Sequence, residues 1–160
     1  MNRYGIVRRA NHRHAGGFSL LEVLIALVIL ALGLLGFALL QTLNLRYTQS
    51  ANYRTQATNL AYDLLDQMRS NHYAAAWYAG PAGASFEPGE VTSRTCGRAV
   101  GTVTIEQNVA RWQCQVFAAL GDQARATVTY NNRDVVVTLS WGERLELGPS
   151  TTTFQVGTVL

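Results

Sequence analysis

The stretch that decides the fold of this chain is His14-Ala-Gly-Gly-Phe-Ser-Leu-Leu-Glu-Val-Leu-Ile-Ala-Leu-Val-Ile-Leu30. A Gly-Gly-Phe junction leads into an apolar run, at the head of which stands an acidic residue, Glu22. The next charged residue is Arg46, so residues 23–45 carry no charge. An ionisable side chain in a membrane segment is expensive and is therefore a candidate functional residue.

The charge of the chain is concentrated before this stretch. The sequence has 160 residues, and all 13 of its basic residues are arginine. Residues 1–17 contain four arginines and no acid, whereas the rest has nine arginines against ten acids. The length suits one modest domain behind the apolar run. A nucleic-acid surface on that domain is not expected, because the basic charge belongs to the N-terminus.

The apolar run has two simple interpretations. A cleaved signal peptide has an apolar core of about 7–15 residues followed by a small-residue cleavage site. Here the run is longer and ends in Leu43-Asn-Leu-Arg46, so a transmembrane anchor, which needs about 20 apolar residues, fits better. The arginines that precede it place residues 1–17 in the cytoplasm by the positive-inside rule. We expect the remainder of the chain on the other side of the inner membrane.

Glu22 has a possible local explanation. Ser19-Leu-Leu-Glu22 has the spacing of a capping box, and a carboxylate is tolerated in the first turn of a helix. This hypothesis does not explain the Gly16-Gly17 pair directly ahead of Phe18.

The residues Gly17-Phe-Ser-Leu-Leu-Glu22, with the apolar helix behind them, resemble the class III signal of type IV pilins and pseudopilins. The resemblance implies that a prepilin peptidase cleaves after Gly17 and methylates the new amino group of Phe18. It also implies that Glu22 acts in assembly by pairing with that amine on a neighbouring subunit. No proline interrupts the apolar helix, and we expect Gly33 and Gly36 to be its weak points and packing positions.

Within this family the chain looks most like the minor pilins called PilV, and the type II secretion pseudopilins are the alternative. The resemblance implies a cytoplasmic leader, 1–17, an assembly helix, 18–45, and a periplasmic pilin-like domain, 46–160. It further implies a single-pass inner-membrane protein that joins other minor and major pilins, and later the pilus at the cell surface. It implies a structural subunit with no cofactor. A membrane-anchored periplasmic enzyme or receptor is a third hypothesis from another class.

The remaining pattern predicts an α+β fold in which one long helix packs on a small antiparallel sheet, with one extra short helix. The long helix should run from Phe18 to about Asn71, and residues 72–103 should form an irregular connection. A capping box, Thr104 with Gln107, begins the short helix, and Gly121 ends it. Three strands are predicted: 126–130, 135–141 and, after the Gly148-Pro149 break, 152–156. The core stripe of the long helix is predicted at Tyr53, Ala57, Leu60, Ala61, Leu64 and Met68.

Cys96 and Cys114 are the two cysteines of the chain. In an oxidising periplasm an even pair favours a disulfide over free thiols. Their spacing is unlike a zinc site, which would need further ligands, so no metal site is predicted. No catalytic motif is found; beyond the leader the sequence has one histidine, His72, at a predicted helix end.

Overall fold

The computed structural model describes residues 17–97, 103–143 and 151–160. The chain divides into two compact units, Met1–Leu43, here called the N-terminal segment, and Asn44–Leu160, here called the head. The described elements confirm the predicted α+β fold. In chain order they are α1 (Leu20–Ser70), a 3-10 turn (His72–Ala74), α2 (Ala75–Tyr78), α3 (Ile105–Leu120), β1 (Arg125–Asn131), β2 (Asp134–Gly142) and β3 (Thr151–Val159).

Helix α1 continues through Gly33 and Gly36 into the head. The predicted stripe is confirmed: four of its members are buried, and Tyr53 and Leu60 are partly buried against the same core. Leu65 is also buried, which the spacing did not predict. The opposite face is solvated and carries a helix-spaced ion pair, in which Arg69 Nη1 lies 2.7 Å from Asp66 Oδ1.

The sheet has the order β1-β2-β3, and both pairings are antiparallel. The three predicted strands are confirmed and are longer than predicted at both ends. Asn132 and Arg133 both have positive φ, the backbone that a two-residue hairpin turn requires between twisted strands. The central strand carries the core, and its fully buried residues are Val135, Val137, Leu139 and Trp141.

Helix α3 begins with the predicted capping box, in which Thr104 and Gln107 satisfy each other's backbone N–H groups. It ends at Gly121, whose φ is 89°, a conformation that suits a residue without a Cβ. Its buried face includes Trp112, whose Nε1 donates to the Leu60 carbonyl of α1 at 2.8 Å. The predicted bond between Cys96 and Cys114 is present. Helix α3 is therefore joined both to α1 and to the connection before it.

The connection after α1 is irregular, as predicted, except for the 3-10 turn and α2 at its start. Two adjacent aromatic residues of this connection differ in burial: Tyr78 is fully buried, whereas Trp77 is 63% exposed. Phe86 later forms an isolated bridge with Ala126 of β1. The end of the connection, 98–102, and the predicted Gly148-Pro149 break lie outside the described residues.

Candidate functional site

The Gly17–Phe18 junction lies ahead of α1 in non-helical, exposed backbone. The Phe18 side chain is 83% exposed. A Cβ built on Gly17 meets no described atom within 4 Å. Among the described residues, therefore, neither the space around Gly17 nor its backbone requires a glycine. Gly16 and the other leader residues before it lie outside the described residues.

Ser19 caps the helix, but the predicted capping box is only half formed. The Ser19 Oγ accepts a hydrogen bond from the Glu22 N–H at 3.2 Å, and the Ser19 carbonyl accepts from the Val23 N–H. The Glu22 carboxylate is exposed and makes no hydrogen bond or ion pair with any described residue. At α3, by contrast, the Gln107 side chain does return to the cap residue. The local hypothesis thus explains Ser19 and leaves the acidic group of Glu22 unexplained.

The apolar helix behind Glu22 is long and apolar enough to cross a membrane, by length and composition. None of its most apolar 18-residue window is buried. A continuous apolar surface of this size needs lipid or other apolar helices around it. A Cβ built on Gly33 or Gly36 meets nothing within 4 Å among the described residues. No described part of the chain therefore packs against these two glycines.

A second polar group lies in the head, at the end of β2. Glu143 is 7% exposed, and its Oε1 accepts hydrogen bonds from Trp141 Nε1 and Ser50 Oγ, each at 3.0 Å. Burial raises the pKa of the Glu143 carboxyl, but hydrogen bonds and the positive charge of Arg54 outweigh it, so the pKa is lowered overall. The carboxylate ties α1 at Ser50 to the sheet. Glu143 was not predicted from the sequence, although the inward alternation of β2 through Trp141 extends to position 143.

The described residues hold no cluster of three or more His, Cys, Asp or Glu side chains that could bind a metal. Cys96 and Cys114 are consumed by their disulfide. His72 opens the 3-10 turn, where its ring contacts that of Tyr73 at 3.9 Å between centroids. Within the described part of the chain, the features that can interact with another molecule are therefore the exposed Gly17–Phe18 junction, the Glu22 carboxylate and the apolar helix.

One protein-family model matches the part of the chain that contains the junction and Glu22. A family model described as "Prokaryotic N-terminal methylation motif" matches residues 12–38. No curated protein and no solved structure matches the chain. The matched range contains Gly17, Phe18 and Glu22, together with the first part of the apolar helix.

The chain therefore carries a prepilin-type methylation motif, which supports its placement in the pilin and prepilin family and indicates a type IV pilin- or pseudopilin-type protein. The motif implies processing by a prepilin peptidase and assembly with other pilins. It is also consistent with anchoring in the inner membrane through the single described apolar helix.

Proposed function

We propose that this protein is a minor pilin, most like those called PilV: a structural, non-enzymatic subunit that primes a type IV pilus or sits at its tip. The observation that carries the proposal is the Glu22 carboxylate. This carboxylate lies within the methylation motif and is exposed in the first turn of an apolar helix, and no described residue pairs with it.

The first step of this function is processing between Gly17 and Phe18. The bond lies in exposed, non-helical backbone, which a peptidase can bind in extended form. Since no described atom lies within 4 Å of a Cβ built on Gly17, a requirement for glycine would come from the enzyme, whose active site must approach the backbone closely. Cleavage would free the amino group of Phe18, the residue that is then methylated.

The second step is assembly through Glu22. Cleavage creates a positive amine at Phe18, and the capping hydrogen bond of Ser19 leaves the Glu22 carboxylate available. An ion pair between Glu22 and the amine of a neighbouring subunit would fix the register of adjacent helices. Its main contribution would be specificity, because burying two charges also carries a desolvation cost.

Gly33 and Gly36 would serve the same assembly. Inside a membrane the hydrophobic effect does not drive helices together, and small residues promote their association by letting the helix backbones approach closely. Both glycines stand on a helix surface that no described part of the chain covers. Before assembly the subunit would span the inner membrane once with its head in the periplasm, and afterwards it would lie in the pilus.

The Glu22→Gln variant tests the proposal, because it removes the charge and keeps the shape of the side chain. We expect normal cleavage and insertion but a loss of partner pilins in co-purification from solubilised membranes. Ser19→Ala is the matched control: it removes the cap hydrogen bond and leaves the carboxylate in place. Partner pilins recovered with Glu22→Gln at the parental yield would contradict the proposal.

The type II secretion pseudopilins share the methylation motif, so a deletion strain must separate the two systems. Loss of surface pili and twitching with normal exoprotein secretion would support the minor pilin. Loss of secretion with normal pili would assign the chain to a secretion pseudopilus.

A further inference from the structure

Ser19 determines where the backbone becomes helical beside the Gly17–Phe18 bond. The Ser19 carbonyl accepts a hydrogen bond from the Val23 N–H at 3.2 Å, and the Ser19 Oγ accepts from the Glu22 N–H at the same distance. These are the two hydrogen bonds that define an N-cap residue. Helix α1 accordingly begins one residue later, and the Gly17–Phe18 bond lies outside it.

The cap also keeps two carbonyl groups out of the helix. If α1 began earlier, the Glu22 N–H would donate to the Phe18 carbonyl and the Leu21 N–H to the Gly17 carbonyl, because α-helical bonds join residues four apart. In the structure, no backbone N–H of a described residue donates to either carbonyl. The Ser19 Oγ accepts from the Glu22 N–H, and so competes with the Phe18 carbonyl for this donor. The cap therefore favours the later start of the helix.

The Gly17 carbonyl belongs to the bond that a prepilin peptidase would cut. When a peptide bond is hydrolysed, negative charge develops on the carbonyl oxygen, and the enzyme must stabilise it with its own groups. A helical hydrogen bond from Leu21 would occupy this oxygen and would fix the backbone in a form that a peptidase cannot bind as an extended chain. The start of α1 therefore affects how readily the bond can react.

We propose that Ser19 is a positioning residue for cleavage: its cap holds the start of α1 behind the Gly17–Phe18 bond and so keeps this bond available to the peptidase. The inference rests on the proposed function, because it requires that a prepilin peptidase cuts the chain here. In this role the Ser19 side chain acts through the backbone of the substrate and not through a contact with the enzyme.

The expected effect of losing the cap is moderate. Ser19→Ala removes the acceptor and introduces the residue with the highest helix propensity. Glycine is a poor helix former, so Gly16-Gly17 still opposes an earlier start of α1. We expect the rate of cleavage to fall about fivefold, the change in equilibrium constant that corresponds to the loss of a typical N-cap. The variant is therefore cut more slowly but completely, and the cut chain retains the Glu22 carboxylate.

Cleavage kinetics of four variants test the proposal. The full-length chain, with its leader, is incubated in detergent with membranes that contain a prepilin peptidase, and initial rates at low substrate concentration are measured from product masses. Ser19→Thr and Ser19→Asn keep an N-cap acceptor and should be cut within about twofold of the parental rate. Ser19→Ala and Ser19→Gln lack an acceptor at the right distance and should be cut about fivefold more slowly.

Asparagine and glutamine form the matched pair of this series, because both carry an amide and they differ by one methylene group. A peptidase that recognised the Ser19 hydroxyl directly would cut both variants equally slowly. Equal rates for these two variants, or an alanine variant cut as fast as the parent, would overturn the role of Ser19 and leave the proposed function intact. A parent chain that is not cut at Gly17–Phe18 would overturn both.

Amide hydrogen exchange, measured by NMR of the full chain in detergent, tests the helix start independently of the enzyme. In Ser19→Ala the Leu21 N–H gains the Gly17 carbonyl as an acceptor, so it should exchange more slowly than in the parent. Ser19→Asn should exchange like the parent. Melting of the head should be unchanged in both variants, because Ser19 lies in the N-terminal segment. Equal exchange of the Leu21 amide in Ser19→Ala and the parent would overturn the proposal.

Discussion

Removal of the disulfide should destabilise the head by a calculable amount. Cys96 and Cys114 are 18 residues apart in sequence. Because the bond restricts the conformational entropy of the unfolded chain, it should raise the free energy of unfolding by about 3 kcal/mol. The head, Asn44–Leu160, has an unfolding entropy of about 0.25 kcal/mol per kelvin at typical per-residue values. Cys96→Ser should therefore lower the melting temperature by roughly 13 °C.

Near-ultraviolet circular dichroism of the full chain in detergent would follow this transition, because Trp112 and Trp141 are buried in the head. Reductant should bring the parent to about the melting temperature of Cys96→Ser and should not change that of the variant. A parent that melts at the same temperature with and without reductant would refute the assignment of stability to the bond.

Three further predictions concern single side chains. Gly83→Ala should destabilise the head by about 1–3 kcal/mol, because a Cβ would lie 2.4 Å from the Tyr78 carbonyl oxygen; Gly80→Ala, with its nearest contacts at 3.6 Å, is the control in denaturant unfolding. The pKa of Glu143 is lowered in the folded head, so its stabilisation is complete above the ordinary pKa of 4.5 and is lost as the pH falls below it. In Glu143→Gln the free energy of unfolding should therefore fall less steeply than in the parent as the pH is lowered from about 5 to 3. The same pH dependence in the variant and the parent would contradict this. Gly17→Val should leave an uncleaved precursor in the membrane, and normal processing on immunoblots would show that the glycine is dispensable.

The local signals in the sequence predicted the regular elements well, because each depends on neighbouring residues. Thr104 and Gln107 lie three positions apart, and their reciprocal cap needs no other part of the chain. The alternation of β2 and the helical spacing of Ala57, Ala61 and Leu64 likewise follow from the periods of a strand and a helix. The class III signal at Gly17 to Glu22 is equally local, because all of its residues lie within one short segment of the sequence.

Features that depend on distant contacts could not be predicted in this way. Ser50 and Glu143 are 93 positions apart, and no local pattern pairs them. The capping box at Ser19 was only half correct, since spacing permits the return of the Glu22 side chain but does not decide whether it bonds or stays in solvent. The bridge between Phe86 and Ala126 of β1 likewise depends on where the irregular connection places Phe86.

The intact mass and N-terminal fragment spectrum of the protein, purified from membranes that contain a prepilin peptidase, test whether this chain is a processed prepilin-type subunit. We expect a chain that lacks residues 1–17 and begins with Phe18 bearing one added methyl group. A full-length chain, or one cleaved at any other bond, would contradict it.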